Sequence, residues 1–531
     1  MSSPYSIETH SAEGQLDSGS TEKGRAPKES SRWRDAALAL SIAQFSLIQA
    51  VHGQLFDQRF GYFNRLPVTR ASLAALLLNI FGLGLILWVA GRLVRRINHR
   101  ILFIVASLAV CAAAIIPLNF ARMHFWNFNA AKFASLHNQA LVAIAAFAIA
   151  IAGLWFHRQT ARLMMGIYIL LSPIVLFTTA RIGWYLIDPP PTAHDSVTPL
   201  TKPAVASPRV AWLVLDEFDQ RIAFEQRPAD IAMPEFTRFY NECFRATNAF
   251  PPGGSTIYSI PALTIGREVR GERIISSSDL AFNGVPRWSE AETVFARARS
   301  LGFSTALVGW FHPYGRILGR QLDRCEWVTY APLDLERGLT LKEAAVNELC
   351  SIIPQFQQRR LHIQNFKAAE AAAMRFLTDA PAALTLLHLP GPHHPGIYDA
   401  KRGRFTLWKY SRTRQYLENL ALVDRQFGTF RHAMEQAGTW NNTWIIVSSD
   451  HWWREAAHYD GRTDHRVPFI IKAPGQNQSA TYDKKFDTVV TYHLLLNILK
   501  GELTNAAQLS HWLDTYRTEP PAGYKPDGEP L

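Results

Sequence analysis

Acidic and imidazole side chains follow apolar stretches at three places in this sequence. VAWLVL is followed by Asp216 and Glu217, LTLLHLPGPHHP carries several histidines, and TWIIVSS is followed by Asp450 and His451. Continuous runs of Val, Ile and Leu are typical of strands that are buried on both faces of a sheet. Carboxylates and neutral imidazoles are ligands that Zn²⁺ and Mn²⁺ accept. These strand ends therefore predict a site for a divalent metal ion, for which we expect Mn, Zn or Mg, with Ca as a further option.

An Asp-His dipeptide by itself is a weak signal for a metal site. The chain contains a second one, Asp464-His465, in a polar loop. Asp450-His451 is also compatible with an aspartate that caps a strand beside a solvated histidine. Only its position directly after a short apolar run favours the metal interpretation.

A Gly-rich turn within residues 248–267, NAFPPGGSTIYSIPALTIGR, offers three hydroxyl groups ahead of a helix-like segment, those of Ser255, Thr256 and Ser259. A hydroxyl at such a place is most often an N-cap of the helix. The alternative is a nucleophile that a metal ion deprotonates, beside helix N–H groups that hold anionic oxygens. The residues alone leave this choice open.

Histidines and aromatic residues in two further loops are candidates for contact with a substrate. His388 and His393 lie in the Pro- and Gly-rich segment LHLPGPHHPGIYD, where they could bind substrate oxygens or protonate a leaving group. Each histidine alone is better explained as a surface residue. Trp310 and His312, in GWFHPYG at another strand end, either line the same rim or simply pack there.

The segments that must position these residues alternate between strand-like and helix-like patterns. Apolar runs such as FSTALVGWF and VPFIIKAPG are separated by helix-like segments, among them residues 233–243, 291–300 and 410–437. This alternation predicts an α/β domain with a mainly parallel sheet flanked by helices. In such sheets, ligands bind beyond the carboxyl ends of the strands, and this is where the candidate residues lie.

The N-terminal third of the chain has the composition of a membrane domain. Five apolar segments each approach the ~20 residues that a helix needs to cross a bilayer. They cover residues 36–56, 71–91, 101–120, 138–156 and 163–187. Lys and Arg are concentrated before the first segment, between the second and third, and between the fourth and fifth, which places the N-terminus in the cytoplasm. We therefore expect a multi-pass protein of a bacterial-type inner (plasma) membrane, with its catalytic domain on the periplasmic or extracellular side.

Changes in composition divide the chain into five regions. We expect a disordered cytoplasmic tail, a transmembrane domain of five helices, a Pro-rich linker, a catalytic domain and a flexible C-terminal tail. Their boundaries are 1–31, 32–188, 189–208, 209–517 and 518–531.

The net charge and the cysteines of the chain bear on two properties, nucleic-acid binding and disulfide bonding. The net charge of +11 comes largely from short Arg clusters between apolar segments, so a nucleic-acid partner is not expected. Cys243, Cys325 and Cys350 fall in the soluble part of the chain. They permit one disulfide, whose pairing the sequence does not determine.

The order of the motifs resembles that of the alkaline phosphatase superfamily. The chain has an aspartate after the first strand, T-x-x-S-x-P in a Gly-rich turn, H-x-x-x-x-H-x-P, and S-D-H before a V-P-x-x-I strand. Within the superfamily, it is similar to the sulfatase-like branch that includes membrane-anchored lipid A phosphoethanolamine transferases and lipoteichoic acid synthases. The resemblance covers the whole soluble domain, and the five-span anchor fits the same relatives.

The resemblance implies a metal site and a nucleophile. Asp216, Thr256, Asp450 and His451 would hold the metal ion, and Thr256 would also be the nucleophile. Glu217 competes with Asp216 for the first ligand position.

The same resemblance implies that His388 and His393 bind substrate, and His393 is our best candidate for the acid that protonates the departing alcohol. His458 and His465 are less certain additions to the substrate site. Ser259 is an alternative nucleophile, but sulfatases carry C/S-x-P-x-R, and Ser259-Ile260-Pro261-Ala262-Leu263 has Leu in place of the Arg. Cleavage of a sulfate ester is therefore disfavoured.

These inferences predict a membrane-anchored, metal-dependent enzyme that moves a phosphoryl-linked head group from a lipid to an acceptor hydroxyl. Its partner would be a membrane lipid or a lipid-linked glycan. The alternative is a phosphoesterase or sulfuric-ester hydrolase that acts on a periplasmic substrate. A non-catalytic membrane scaffold or sensor is a third hypothesis, against which the joint presence of four candidate ligands argues. Trp452 and Trp453 either wall the pocket or face the membrane.

Overall fold

The computed structural model describes residues 26–56, 62, 68–124, 144, 147–148, 151–152, 155–189, 194–199, 208–329, 340–379, 382–408, 411–476 and 478–531. The chain divides into two compact units. One comprises Met1–Gln44, Phe81–Ile115 and Asn129–Val175, and the other comprises Phe45–Ile80, Ile116–Phe128 and Leu176–Leu531. The second unit thus contains the whole predicted catalytic domain together with three pieces of the apolar N-terminal third.

The described part of the N-terminal third is helical. Its helices are α1 Ala26–Ser46, α2 Ile48–Leu55, α3 Arg70–Ile97, α4 Arg100–His124, α5 His157–Leu170 and α6 Pro173–Ile187. By length and composition, α3 and α4 could each cross a membrane; α1 with α2, bent by 71°, and α5 with α6, bent by 41°, could each form a broken span. Two to four spans are therefore found among the described residues, where five were predicted. The predicted segment 138–156 lies largely outside the described residues.

The first helix begins earlier than expected. α1 starts at Ala26, inside the segment 1–31 that we predicted to be disordered. Residues 1–25 lie outside the described part of the chain. Helix α1 therefore extends N-terminal to the apolar segment that predicted it.

A mixed sheet forms the centre of the catalytic domain. The strands are β1 Arg209–Leu215, β2 Phe244–Phe250, β3 Arg273–Ser276, β4 Asp279–Ala281, β5 Thr305–Phe311, β6 Arg324–Thr329, β7 Leu384–Leu389, β8 Tyr398–Asp399, β9 Arg404–Phe405, β10 Thr443–Ser449, β11 Val467–Lys472, β12 Ala480–Tyr482 and β13 Phe486–Asp487. Nine of them form one sheet in the order β12-β2-β11-β10-β1-β7-β5-β6, with β13 paired to β2. β10, β1, β7, β5 and β6 are parallel neighbours, whereas β11 runs antiparallel to β10 and β2. The predicted α/β fold with a mainly parallel sheet is confirmed.

Helices cover both faces of this sheet. They are α7 Pro234–Glu242, α8 Thr256–Ile265, α9 Val294–Ser300, α10 Tyr314–Ile317, α11 Leu341–Cys350, α12 Pro354–Thr378, α13 Arg412–Gln436, α14 Ala457–Asp460, α15 Thr491–Leu499 and α16 Leu509–Tyr516. Trp212 and Val214 of β1 pack in the core with α8, α9 and α15, while Leu213 and Leu215 pack in the opposite core with α7, α12 and α13. Because both faces are buried, the strands are continuously apolar rather than alternating.

The strand register brings the candidate residues to one edge. Leu215, the last residue of β1, is aligned with Ser449 of β10 and with Leu389 of β7. Asp216 and Asp450, which directly follow β1 and β10, therefore lie side by side at the carboxyl end of the parallel strands.

The C-terminal tail differs from its prediction. Residues 518–531 were expected to be flexible, but Tyr524 donates a hydrogen bond to the Pro251 carbonyl at 2.6 Å. The Gly254 N–H donates to the Gly528 carbonyl at 2.7 Å. The tail is held by individual contacts with several segments, since the Gly271 N–H also donates to Glu529 Oε1 at 2.8 Å. Such contacts leave no hydrophobic periodicity from which the sequence could predict the position of the tail.

The disulfide that the sequence permits is not formed. Cys243, Cys325 and Cys350 form no disulfide bond, and neither does Cys111 in α4. Hydrophobic packing rather than a disulfide therefore holds the described part of the predicted catalytic domain together.

Candidate active site

Four side chains from three segments converge at the carboxyl edge of the sheet. Thr256 Oγ1 donates a hydrogen bond to Asp450 Oδ2 at 2.7 Å and lies 3.4 Å from both Asp216 Oδ2 and His451 Nε2. His451 Nε2 is 3.6 Å from Asp216 Oδ1 and 3.4 Å from Asp450 Oδ2. All four residues are buried. We call Asp216, Thr256, Asp450 and His451 the threonine group.

The threonine group fits a divalent metal ion. With ligands about 2.0–2.1 Å from Zn²⁺ in a tetrahedral shell, neighbouring ligand atoms are separated by about 3.3 Å, which is close to the distances observed here. Within the described residues, the buried Asp216 Oδ1 has no hydrogen-bond partner. Burial raises the pKa of Asp216 well above its usual value, and the nearby Asp450 raises it further. A cation bound between these carboxylates would satisfy the free oxygen and remove their repulsion.

His451 and Asp450 are oriented as ligands by their own backbone contacts. The Nδ1–H of His451 donates to the Trp452 carbonyl at 2.9 Å, which leaves Nε2 with its lone pair directed at the group. Burial lowers the pKa of His451, so the imidazole is neutral, as a metal ligand must be. Asp450 Oδ1 accepts hydrogen bonds from the Glu217 N–H at 3.2 Å and the His451 N–H at 2.8 Å. Its other oxygen, Oδ2, therefore remains available to Thr256.

Trp310 and His388 line the threonine group. The indole N–H of Trp310 donates to Asp216 Oδ2 at 2.8 Å, so this tryptophan orients a candidate ligand. His388 offers a ligand atom within 4.8 Å of those of Asp216 and Asp450, and its Nδ1 lies 2.6 Å from the Tyr314 hydroxyl. Burial lowers the pKa of His388 well below its usual value, which keeps it neutral. The structure thus places His388, predicted for substrate binding, among the candidate metal ligands.

A second group lies beside the first. Glu217, His393 and His394 have ligand atoms within 4.8 Å of one another, and the two imidazoles stack with ring centroids 4.2 Å apart. Arg454 Nε donates to Glu217 Oε1 at 3.1 Å. We call these four residues the arginine group. Sequence reasoning missed Arg454 as a site residue; the available signal was its place four residues after Asp450.

The charges in the arginine group are already balanced. Burial alone would raise the pKa of Glu217, but the two histidines and Arg454 outweigh it and hold the pKa well below its usual range. Burial lowers the pKa of His393 well below its usual value, so this imidazole is neutral. Arg454 therefore supplies the permanent positive charge that pairs with Glu217.

Backbone conformation separates these two groups. Glu217 has a φ of 63°, in the left-handed region that side chains other than glycine rarely adopt. Such a conformation costs ~1–3 kcal/mol and is found mainly at functional sites. Phe311, directly before His312, has a φ of 74°. The left-handed backbone at Glu217 directs the consecutive side chains of Asp216 and Glu217 into the threonine group and the arginine group, respectively.

His312 is connected to the backbone of Thr256. Its Nε2–H donates to the Thr256 carbonyl at 3.1 Å, so its Nδ1 accepts the hydrogen bond from the Tyr62 hydroxyl at 2.9 Å. Burial lowers the pKa of His312 to about 3, which keeps the ring neutral. His312 therefore packs beneath the Gly-rich turn that carries Thr256 instead of lining a rim. Tyr62 lies between the first two predicted membrane spans, and no sequence pattern distinguished it.

Three predicted residues lie away from both groups. The Ser259 hydroxyl donates to the Gly253 carbonyl at 2.7 Å within the Gly-rich turn that carries Thr256. His458 is exposed, with Nδ1 3.8 Å from Glu455 Oε2. His465 packs on Trp452, with ring centroids 4.2 Å apart.

Both tryptophans that follow His451 are buried inside the domain. Trp453 stacks on Tyr416 with ring centroids 4.0 Å apart. Trp452 lies against the same Gly-rich turn, where a Cβ added at Gly254 would come within 2.6 Å of the indole ring. Trp452 therefore supports the turn that carries Thr256, and only glycine at position 254 permits this close approach.

Comparison with known proteins finds similarity over parts of this chain. Residues 367–500 match the family model described as Sulfatase. An arylsulfatase of Clostridium perfringens (strain 13 / Type A) is 34% identical over 83 residues, which cover 14% of this chain and 17% of that protein. The alignment thus spans about a sixth of that relative's length.

Solved structures with similar folds include two hydrolases. A sulfatase from Pseudoalteromonas sp. is 16% identical with a TM-score of 0.41, covering 60% of this chain and 74% of that one. The phosphonate monoester hydrolase of Agrobacterium radiobacter is 14% identical with a TM-score of 0.38, covering 60% of this chain and 79% of that one. The Sulfatase match over residues 367–500 confirms the predicted resemblance to the sulfatase-like branch of the alkaline phosphatase superfamily.

Proposed function

We propose that this protein is a membrane-anchored enzyme that cleaves a phosphodiester through a covalent phospho-threonine and passes the phosphoryl-linked head group of a lipid to an acceptor hydroxyl. The observation that carries the proposal is the position of Thr256, whose hydroxyl donates to Asp450 at 2.7 Å and lies 3.4 Å from Asp216 and His451. A divalent metal held by the threonine group would lower the pKa of this hydroxyl and stabilise charge on the transferred phosphoryl group.

Thr256 acts in both steps of the proposed reaction. In the first step, the bond from Oγ1 to phosphorus forms and the bond from phosphorus to the lipid alcohol breaks. The hydroxyl proton leaves along the existing hydrogen bond to Asp450 Oδ2. Because Thr256 is the first residue of α8, the helix N-terminus provides N–H groups for the anionic oxygens. In the second step, the acceptor hydroxyl attacks phosphorus, the bond to Oγ1 breaks, and the proton returns from Asp450 Oδ2 to Oγ1.

The arginine group is suited to the rest of the substrate. Arg454 offers a permanent positive charge to the phosphoryl oxygens. The departing alcohol takes up a proton in the first step and the acceptor hydroxyl loses one in the second. His393 was predicted to be the acid, but burial keeps it neutral, whereas the His394 side chain is 51% exposed and can exchange protons with water. We therefore assign proton transfer to the stacked pair His393 and His394.

Hydrolysis of a sulfate or phosphate ester is the second candidate function, and the Sulfatase match favours it. The steps would be the same, with water as the acceptor. Sulfatases use a formylglycine made from Cys or Ser, but the hydroxyl beside the carboxylates belongs to Thr256, while Ser259 is bonded to Gly253. This placement favours phosphoryl over sulfuryl transfer.

Membrane anchoring supports a substrate borne by a lipid. α3 and α4 have the length and composition of membrane spans. A tether to the bilayer raises the effective concentration of membrane-bound donors near the catalytic domain. A soluble substrate would gain nothing from this arrangement.

Mass spectrometry of the protein incubated with phospholipid nanodiscs tests the nucleophile. We expect a phosphorus-containing adduct on the peptide that contains Thr256, lost in Thr256→Ala and retained in Thr256→Ser. Ser259→Ala is the matched control and should keep the adduct. An adduct on Ser259, or an adduct that survives in Thr256→Ala, would overturn the proposal. Turnover in H₂¹⁸O separates the two functions, because only hydrolysis incorporates ¹⁸O into the released ester acid.

A further inference from the structure

Helix α11 has its polar and apolar sides reversed. Val346 and Leu349 are 44% and 41% exposed, and Ile353 just beyond the helix is 52% exposed. On the inner side, Asn347 and Glu348 are only 5% and 1% exposed. A helix on the surface of a soluble domain presents polar residues to water and buries apolar ones. α11 has the opposite arrangement, which suits a helix that faces lipid.

The buried carboxylate of Glu348 is bonded to two helices of the apolar N-terminal third. Its Oε1 accepts a hydrogen bond from Gln54 Nε2 of α2 at 2.8 Å, and its Oε2 accepts one from Asn79 Nδ2 of α3 at 2.9 Å. Asn79 Nδ2 also donates to the Ala345 carbonyl of α11 at 3.0 Å. The inner side of α11 is therefore fixed to side chains of predicted membrane helices.

The position of Asn79 along α3 sets the depth of this contact. α3 runs from Arg70 to Ile97, with Arg92, Arg95 and Arg96 near its predicted cytoplasmic end. At about 1.5 Å per residue, Asn79 lies roughly 20 Å from Arg92 along the helix axis. The hydrocarbon core is about 30 Å thick. With Arg92 at its cytoplasmic boundary, Asn79 would lie roughly 10 Å inside its outer boundary. A helix hydrogen-bonded to Asn79 lies at a similar depth.

We propose that α11 is inserted into the outer leaflet of the bilayer, with lipid acyl chains covering Val346, Leu349 and Ile353. The proposal rests on the membrane anchoring stated under the proposed function. It adds that a helix of the catalytic domain itself enters the membrane, which would bring the active-site domain down to the level of lipid head groups. Trp408, which is 63% exposed and packs near Phe356 at a ring distance of 6.0 Å, is a residue type enriched at membrane interfaces.

Spin-label accessibility tests this insertion directly. The full chain, with its four cysteines replaced by serine, would carry one nitroxide at position 346 or 349 in nanodiscs of phosphatidylcholine and phosphatidylglycerol. Power saturation then compares accessibility to O₂, which concentrates in acyl chains, with accessibility to a water-soluble nickel chelate. We expect the ratio of O₂ to nickel accessibility at both positions to be several-fold higher than at Leu301, an exposed leucine at the end of α9.

Two further outcomes would overturn the insertion. Nickel accessibility equal to that at Leu301 would show that α11 faces water, and low accessibility to both reagents would show that a partner protein or a second copy covers it. A label at Leu78, which is 55% exposed on α3, reports separately on anchoring. If Leu78 is oxygen-rich and positions 346 and 349 are not, only the insertion of α11 fails; if Leu78 is nickel-accessible, the anchoring of the proposed function fails as well.

Discussion

Two consecutive residues, Asp216 and Glu217, belong to groups with opposite electrostatics. In the threonine group, the ion-pair partner of Asp216 among the described residues is His451, which burial keeps neutral. In the arginine group, Glu217 is paired with Arg454 at 3.1 Å. Burial and Asp450 raise the pKa of Asp216, whereas the partners of Glu217 outweigh burial and lower its pKa. One group therefore requires a cation from outside the chain, and the other contains its own.

This difference assigns separate tasks to the two groups. An uncompensated pair of buried carboxylates beside a hydroxyl is suited to a metal ion that activates the hydroxyl. A compensated carboxylate that holds an arginine in place is suited to bind an anionic substrate, because it fixes the guanidinium without requiring another cation. We therefore expect one tightly bound metal ion in the resting protein, in the threonine group.

The largest expected effect is that of Asp450→Asn. The amide removes one of the two charges that create the need for a cation, so we expect metal content to fall from stoichiometric to background and turnover to fall by at least ~10³-fold. Elemental analysis of the purified full chain and an ester-cleavage assay measure the two quantities. Circular dichroism would show that the variant still folds.

Asp464→Asn is the matched control, since Asp464 belongs to the other Asp-His pair and forms an ion pair with Arg466 at 2.6 Å. It should retain the metal ion and most of its activity. A metal ion retained at full stoichiometry in Asp450→Asn would contradict the division between the two groups.

Substitution of Arg454 should have the next largest effect. Arg454→Gln removes the internal cation of the arginine group, and the loss of a charged contact to the phosphoryl group should lower kcat/KM by about 10- to 100-fold. Glu217, His393 and His394 would then form an uncompensated ligand set. We expect a second, weaker divalent ion to bind, which equilibrium dialysis with Mn²⁺ or Zn²⁺ would detect.

Arg462→Gln serves as the control for Arg454→Gln, because Arg462 is an exposed arginine nearby in the sequence. This variant should bind one metal ion, like the wild type. If Arg454→Gln also binds only one, charge compensation is not what keeps metal out of the arginine group.

The sequence predicted the threonine group more completely than the arginine group. Asp216, Asp450 and His451 directly follow strands, and the parallel register brings strand ends together, so local patterns were sufficient to bring these residues to one site. The arginine group depends on the left-handed backbone at Glu217, which no residue pattern encodes.

Contacts between distant segments were not predictable for a similar reason. Tyr62 reaches His312 across a separation of 250 residues, and Glu348 reaches Gln54 across 294. Each is a single polar contact rather than a repeated apolar pattern. Hydrophobic periodicity reports which face of an element is buried, but it does not identify which buried polar groups meet.

The smallest expected effect is that of Tyr62→Phe. The variant loses the hydroxyl that donates to His312 Nδ1 and leaves that nitrogen buried without a donor, at a cost of ~1–3 kcal/mol. Since His312 holds the Thr256 carbonyl, we expect kcat to fall by roughly 2- to 10-fold while metal content and KM remain unchanged. Stopped assays of the full chain in nanodiscs, with elemental analysis of the same samples, measure all three.

The control for Tyr62 is Tyr459→Phe, which removes a hydroxyl that donates to the exposed Gln226 carbonyl at 3.2 Å and should leave kcat unchanged. Equal losses in the two variants, or a loss of metal in Tyr62→Phe, would contradict a role in positioning Thr256. The predicted result would separate two properties of the threonine group: metal binding would be independent of Tyr62, whereas the placement of Thr256 would depend on this residue from the N-terminal third.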